Sequence, residues 1–360
     1  MDISCHCKVN PEGRSLHNDN YRIPQPNTDA NDAAGEIPTM TENQIIAKIL
    51  KQPVFEKKPP VLLDIGASGT IHSKWKKIAQ YSICIAFDAD DRDFGHTMVE
   101  TKDYRSLVTY NAIVTDKKKK KLNFYLTQSP HCSSSLEPDN EQLAQWDFSE
   151  LFRVVKKVEL NATTTAQALA GKSIDYIDWF KTDSQGCDLR LFQNLGASIM
   201  QKVSIAEFEP GIIDAYKGED KFLKILEYFD KRDFLMLELE VRGTRWANAA
   251  VKEYLHRHNL TLSNSIPALP CWVGVSYLNK HQSRATIREL LFGVVVCIIH
   301  KQYPLAINLA LAGQAIGTDT IFADVLEYCR VELRKMGYVQ KTRTPLEFGK
   351  RIIRKLKKIF

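Results

Sequence analysis

At 360 residues the chain is long for one domain. Its 44% hydrophobic and 26% charged content excludes a wholly disordered or collagen-like protein. The net charge of +6 is uneven: positions 341–360 hold eight basic residues and one acid, a local +7, so the other 340 positions carry −1.

No apolar run is a candidate membrane span. The longest, 290–299, has ten residues, about half of what a bilayer needs. Positions 1–10 lack the apolar stretch of a signal peptide, so the eight cysteines are expected reduced in a cytoplasmic setting. Cys5-His6-Cys7 is the one cysteine cluster. It lacks the second pair that a four-ligand zinc site requires, and no metal site is expected.

Residues 1–40 are polar, with little periodicity, and read as a disordered lead-in. A short helix is expected over 41–50, with Thr41 as its N-cap. Val61-Leu62-Leu63-Asp64-Ile65 then reads as a buried strand running into Gly66-Ala67-Ser68-Gly69. An amphipathic stretch, 71–81, leads to a second buried strand over 83–87, closed by Asp88-Ala89-Asp90. Strand, glycine turn, helix, strand and acid open a parallel α/β sheet. A third strand is expected over 107–114, paired as a hairpin with 122–126 across Lys117 to Lys121. That lysine run is read as a solvated turn rather than a nucleic-acid patch. Further strands are expected over 176–182, ending at Asp183, over 203–208, ending at Glu209-Pro210, and over 234–241 and 273–278, with a helix over 221–231. From about position 285 the periodicity is helical only, over 287–299, 304–313 and 320–336. The predicted organisation is a domain over 41–284, a helical extension over 285–340 and a basic tail over 341–360.

In an open parallel sheet, ligands sit at the carboxyl ends of the strands. Asp64 and Gly66 close the first strand, Asp88 the second and Asp183 a later one. A carboxylate 24 residues after Asp64 suits a ribose diol, because an ionised acid only accepts hydrogen bonds. Gly66-x-x-Gly69 is neither the dinucleotide fingerprint nor a phosphate loop. An acid at the turn and another after the second strand suit S-adenosylmethionine, with Asp64 facing its ammonium and Asp88 its ribose. A nicotinamide cofactor and a ligand-free structural sheet are the alternatives at this point.

Six segments, in order over about 60–280, resemble the motifs of FkbM-type methyltransferases. Leu63-Asp64-Ile65-Gly66-Ala67-Ser68-Gly69 with Trp75 is similar to the first. Phe87-Asp88-Ala89-Asp90, Asn111-Ala112-Ile113-Val114-Thr115-Asp116 and His131-Cys132-Ser133-Ser134-Ser135-Leu136-Glu137-Pro138 follow. Phe180-Lys181-Thr182-Asp183-Ser184-Gln185-Gly186 and Glu207-Phe208-Glu209-Pro210 complete the set. Thr70 departs from the usual second glycine, and Gly218 to Phe222 from a more apolar segment where acceptor is read.

The resemblance implies a class I methyltransferase fold, a Rossmann-like sheet with helices on both faces, here with a C-terminal helical extension. It implies S-adenosylmethionine as cofactor and O-methylation of a sugar, glycan or related small molecule. The cofactor would lie against Asp64, Gly66, Ala67, Ser68, Gly69, Asp88 and Ala89, with adenine against Ala112 and Ile113 and its amino group near Asp116. Asp183 is the first candidate for taking the acceptor proton, its rival role being to hold the cofactor's amine. His131 is the second, in a pKa range suited to a general base, or else a surface histidine. Ser134, Glu207 and Glu209 are candidate acceptor contacts. Cys132 and Trp75 are read as packing residues.

In the tail, Ile352, Leu356, Ile359 and Phe360 fall at helical spacing among lysines and arginines. This suits a solvated helix or contact through 350–360 with an anionic membrane surface at the inner face. Two other functions stay open: a nucleic-acid methyltransferase, without a recognised base-handling motif, and a non-catalytic interaction protein that keeps the fold.

Overall fold

A seven-stranded sheet, ordered β3-β2-β1-β7-β8-β10-β9, organises the chain. Its strands are β1 (Val61–Ile65), β2 (Ile83–Asp88), β3 (Ser106–Asn111), β7 (Trp179–Thr182), β8 (Ile205–Phe208), β9 (Phe234–Thr244) and β10 (Leu269–Asn279). A second sheet, β4-β6-β5, is formed by β4 (Ile113–Val114), β5 (Lys121–Thr127) and β6 (Val154–Thr163). The computed structural model describes residues 40–67, 72–90, 92, 103–172, 174–263, 265–280, 285–317 and 320–337. The lead-in before Met40, with Cys5-His6-Cys7, the turn residues Ser68 and Gly69, and the basic tail lie outside the described residues. Met40–Glu332 form one compact unit.

Every residue of β1 is buried, as expected for a parallel strand covered on both faces. Alternation sends Val61, Leu63 and Ile65 into one core with Phe180, Phe192, Phe208 and Phe229. Leu62, Trp179 and Ile205, fully buried, face the other side, where Trp75 meets Trp179 edge to face at 5.9 Å. Trp75 is therefore a packing residue, as read. The chain builds β1, β2 and β3 outward by parallel pairing, then returns to the other side of β1 with β7. This reversal is the topological switch point. β8 continues the parallel order. β10 then enters antiparallel between β8 and β9.

Thr41 caps α1 (Glu42–Leu50) through a reciprocal capping box with Gln44. The stretch 71–81 gives two 3₁₀ turns, Ser73–Lys77 and Ala79–Tyr81, in place of a continuous helix. The hairpin expected between 107–114 and 122–126 does not form. β3 remains in the main sheet beside β2, and β5 pairs antiparallel with β6, a strand the pattern did not suggest. Lys157 and Glu159 stand on one face and Lys156 interrupts the other, which breaks any apolar run. Only Val158, Leu160 and Ala162 carry its period of two.

After β7 comes α2 (Asp188–Gln193), and between β8 and β9 lies α3 (Phe222–Asp230). The helical extension forms α4 (Ile287–Ile299), α5 (Tyr303–Ile316) and α6 (Ile321–Lys335). Up to Glu332 it belongs to the same unit as the sheet. Arg288 anchors it, giving Asp178 two hydrogen bonds of 2.7 and 2.8 Å and the Lys58 carbonyl one of 2.8 Å. Asp178 in turn accepts from the Val61 N–H at 2.9 Å, so one buried ion pair joins α4 to the starts of β1 and β7. Among the described residues, no helix is long and apolar enough to cross a membrane.

Candidate active site

The strand ends around the switch point enclose a crevice of about 710 Å³, counted with its open mouth. One wall is Phe87 and Asp88 at the end of β2 with Ala89 and Asp90 beyond it, continued by Ala112 and Ile113 after β3. Facing it are Asp183, Ser184 and Gln185 after β7, and His131, Ser133 and Ser135 from the serine-rich loop.

Gly66 forms the floor with a φ of +81°, and a Cβ there would lie 2.3 Å from the Asp183 carbonyl oxygen. Only glycine lets the exits of β1 and β7 approach so closely. The Gly66 and Ala67 N–H groups donate to the Phe87 carbonyl at 2.9 and 3.0 Å, stapling the turn to β2. Asp88 is 8% exposed, and its Oδ1 accepts from the Asp90 N–H at 2.9 Å. Asp90 is bound by Arg92, which also donates to Ser133 Oγ at 2.9 Å. The acid at the end of β2 is thus held by a braced turn. Tyr110 stacks on Phe87 at 4.9 Å behind the apolar wall.

Asp64 is placed differently from its reading as a ligand contact. It is directly opposite Lys181 in the β1–β7 register, ion-paired at 2.8 Å, and is not part of the crevice lining. Burial disfavours the Lys181 charge, but Asp64 and then Asp183 hold its pKa above the ordinary lysine value. Glu207 lies on the other flank of Lys181. It accepts from Trp179 Nε1 at 3.0 Å and faces Lys74 at 3.6 Å and His72 at 3.7 Å. Despite burial, Lys74 above all holds its carboxyl below the ordinary range, and it is engaged in the sheet rather than in the crevice.

Of the other expected contacts, Gly66, Asp88, Ala89, Ala112, Ile113, His131 and Asp183 line the crevice, whereas Ala67, Asp116, Ser134 and Glu209 do not. Asp116 is exposed, and its carbonyl accepts from Asn194 Nδ2 at 3.2 Å. Ser134 Oγ donates to the Gln185 carbonyl at 2.7 Å and so supports the wall from behind. Glu209 pairs with Arg242 at 3.3 Å. Cys132 packs in a small buried cluster with Phe152 and Tyr216, as read.

Asp183 and Glu209 form an electrostatically linked pair of acids. Burial pushes Asp183 up to about 6 against the pull of Lys181, and pushes Glu209 up to about 7, with Asp183 the next cause. A carboxyl so placed holds a proton more readily than one in water. For both, the folded value lies above the unfolded one, so the stabilisation is complete at low pH and is lost as pH rises from about 4 to about 7. The Asp183→Asn/Glu209→Gln double variant is expected to show a flatter fall of unfolding free energy between pH 5 and 7.5 than the wild type. Urea denaturation across that range measures the difference; an unchanged slope would show that neither acid binds a proton in that window.

Gln185 also lines the crevice, beyond the residues expected from sequence: φ is +54° there and +104° at Gly186, a tight turn that aims the Gln185 side chain at Asp183. Among the described residues, no group of three or more His, Cys, Asp or Glu side chains is arranged to hold a metal ion. Against models of known protein families the sequence has no match, and it has none among curated proteins; the likeness to FkbM-type enzymes rests on the motif residues alone.

Proposed function

We propose that the chain is an S-adenosylmethionine-dependent methyltransferase that methylates a hydroxyl, on a sugar, glycan or related small molecule. The observation that carries the reading is the pairing of Asp88 and Asp183 across one crevice at the switch point. An acceptor-only acid at the end of β2 suits a ribose diol. Ala112 and Ile113 give an apolar bed for adenine, and a partly buried acid of raised proton affinity lies opposite. Strand order adds fold-level support: an antiparallel strand set between the fifth and sixth parallel ones is the class I methyltransferase arrangement, which differs from the usual dinucleotide-binding sheet.

The residues present fit the cofactor. Asp88 would accept from both ribose hydroxyls and Ala89 would pack beside them. When bound, S-adenosylmethionine supplies a methyl group activated on a sulfonium. Asp183 takes the proton of the acceptor hydroxyl as its oxygen attacks in line, and the crevice walls hold the two reactants in register. The basic tail at 350–360 suits contact with anionic lipid at the inner membrane surface, where a lipid-linked acceptor would be met.

Asp88→Asn tests the reading. It keeps the shape but replaces an acceptor-only carboxylate, and each charge-assisted bond is worth about 1.5–3 kcal/mol. Calorimetric affinity for S-adenosylmethionine is expected to fall by about 10–100-fold. Unchanged affinity would remove Asp88 from the cofactor site.

A further inference from the structure

Tyr216 is buried, and its hydroxyl lies 2.8 Å from the Cys132 carbonyl and 2.9 Å from Gln185 Oε1. A phenol has one hydrogen, so it can donate to only one of these two acceptors at a time. At its other end, the Gln185 amide donates from Nε2 to Asp183 Oδ1 at 2.6 Å. The Gln185 backbone is pinned by Ser134 Oγ at 2.7 Å. A Cβ on the adjoining Gly186 would come within 2.9 Å of Glu219 Cβ, so the side chain has a fixed base and a rotatable tip.

The two ends of a glutamine amide have nearly the same shape, and turning it exchanges donor for acceptor. In the orientation seen, Gln185 donates a hydrogen bond to an ionised Asp183 and competes with the Cys132 carbonyl for the one Tyr216 can donate. Once turned, it would accept from a protonated Asp183 and donate to Tyr216 Oη, leaving the Tyr216 hydrogen for Cys132. Every donor in the row then has its own acceptor. From this geometry we infer that Gln185 is a positioning residue whose amide, backed by Tyr216 and the Cys132 carbonyl, turns over when Asp183 takes up a proton.

The inference rests on the reading of Asp183 as the proton acceptor and adds how the chain accommodates that proton. The charged groups facing Asp183 are Lys181 on β7, Asp64 on β1, Asp188 on α2, Glu209 after β8 and Arg242 on β9. None of them is altered in the test.

The test is a carboxyl-carbon NMR titration of the full chain labelled at aspartate, with the Asp183 signal assigned by its loss in Asp183→Asn. Tyr216→Phe removes a partner that the protonated state uses more fully, so the Asp183 midpoint is expected to fall by about half to one pH unit. Gln185→Met removes a charge-assisted bond to the ionised state and a weaker one to the protonated state, so the midpoint is expected to rise by about one unit. Opposite shifts support the relay. Shifts of the same sign, or none in either variant, overturn it, since packing alone would not divide the two by direction. Should Tyr216→Phe fail to fold, Gln185→Met decides alone: a rise supports the relay, and a fall or no change overturns it. The titration needs no ligand, so it can fail while wild-type calorimetry still shows S-adenosylmethionine binding, and the reverse.

Discussion

Asp183→Asn is expected to lower labelled-methyl transfer from S-adenosylmethionine into glycan extracts by about 10²–10⁴-fold, the usual contribution of a positioned general base. Affinity for the cofactor is expected to stay within several-fold. Asparagine keeps an oxygen for Gln185 Nε2, now 2.6 Å from Asp183 Oδ1, and keeps the shape of the wall. What it loses is the capacity to take a proton. A large loss of affinity with transfer retained would instead assign Asp183 to the cofactor's amine. His131 provides the comparison. It is exposed on a short turn over Pro130–Cys132, and His131→Ala is expected to leave most of the transfer intact if Asp183 is the base.

The largest effect on stability is expected at Arg288. Its side chain is 11% exposed and that of Asp178 only 2%, and the guanidinium serves both carboxylate oxygens and two carbonyls. Arg288→Met leaves the Asp178 charge buried with only the Val61 N–H from this set, a situation that costs about 3–5 kcal/mol. Urea denaturation at pH 7 reads this directly. A loss below about 1 kcal/mol would show that α4 is not tied to the strand starts through this pair.

Much of the main sheet was legible in the sequence for a definite reason. Strands buried on both faces, such as β1 and β2, are nearly continuous apolar runs, and each ends in a turn residue or an acid that solvates its exit. β6 was not legible, because Lys157 and Glu159 stand on one face and Lys156 interrupts the other. The strand expected over 176–182 starts late, at Trp179. Asp178 there is turned to Arg288, 110 residues away, and no local pattern signals such a partner.

The same division runs through the candidate site. Asp88, Asp183, Ala112 and Ile113 could be placed because strand ends and the residues just beyond them converge in any open parallel sheet. Asp64 and Glu207 were misplaced for want of the register. Lys181 lies opposite both of them, and a lysine between two acids on one face of adjacent strands makes a cross-sheet ladder in preference to a ligand contact. Gln185 and Tyr216 are 31 residues apart; only the fold brings the phenol to the amide.

The most direct measurement is a crystal structure of the full chain with S-adenosylhomocysteine. Both ribose hydroxyls are expected within hydrogen-bond distance of the Asp88 carboxylate, with adenine between Ala112 and Ile113 and the sulfur on the Asp183 side of the crevice. A ligand bound elsewhere, or this crevice taken by a different nucleotide with Asp88 turned away from it, would contradict the assignment.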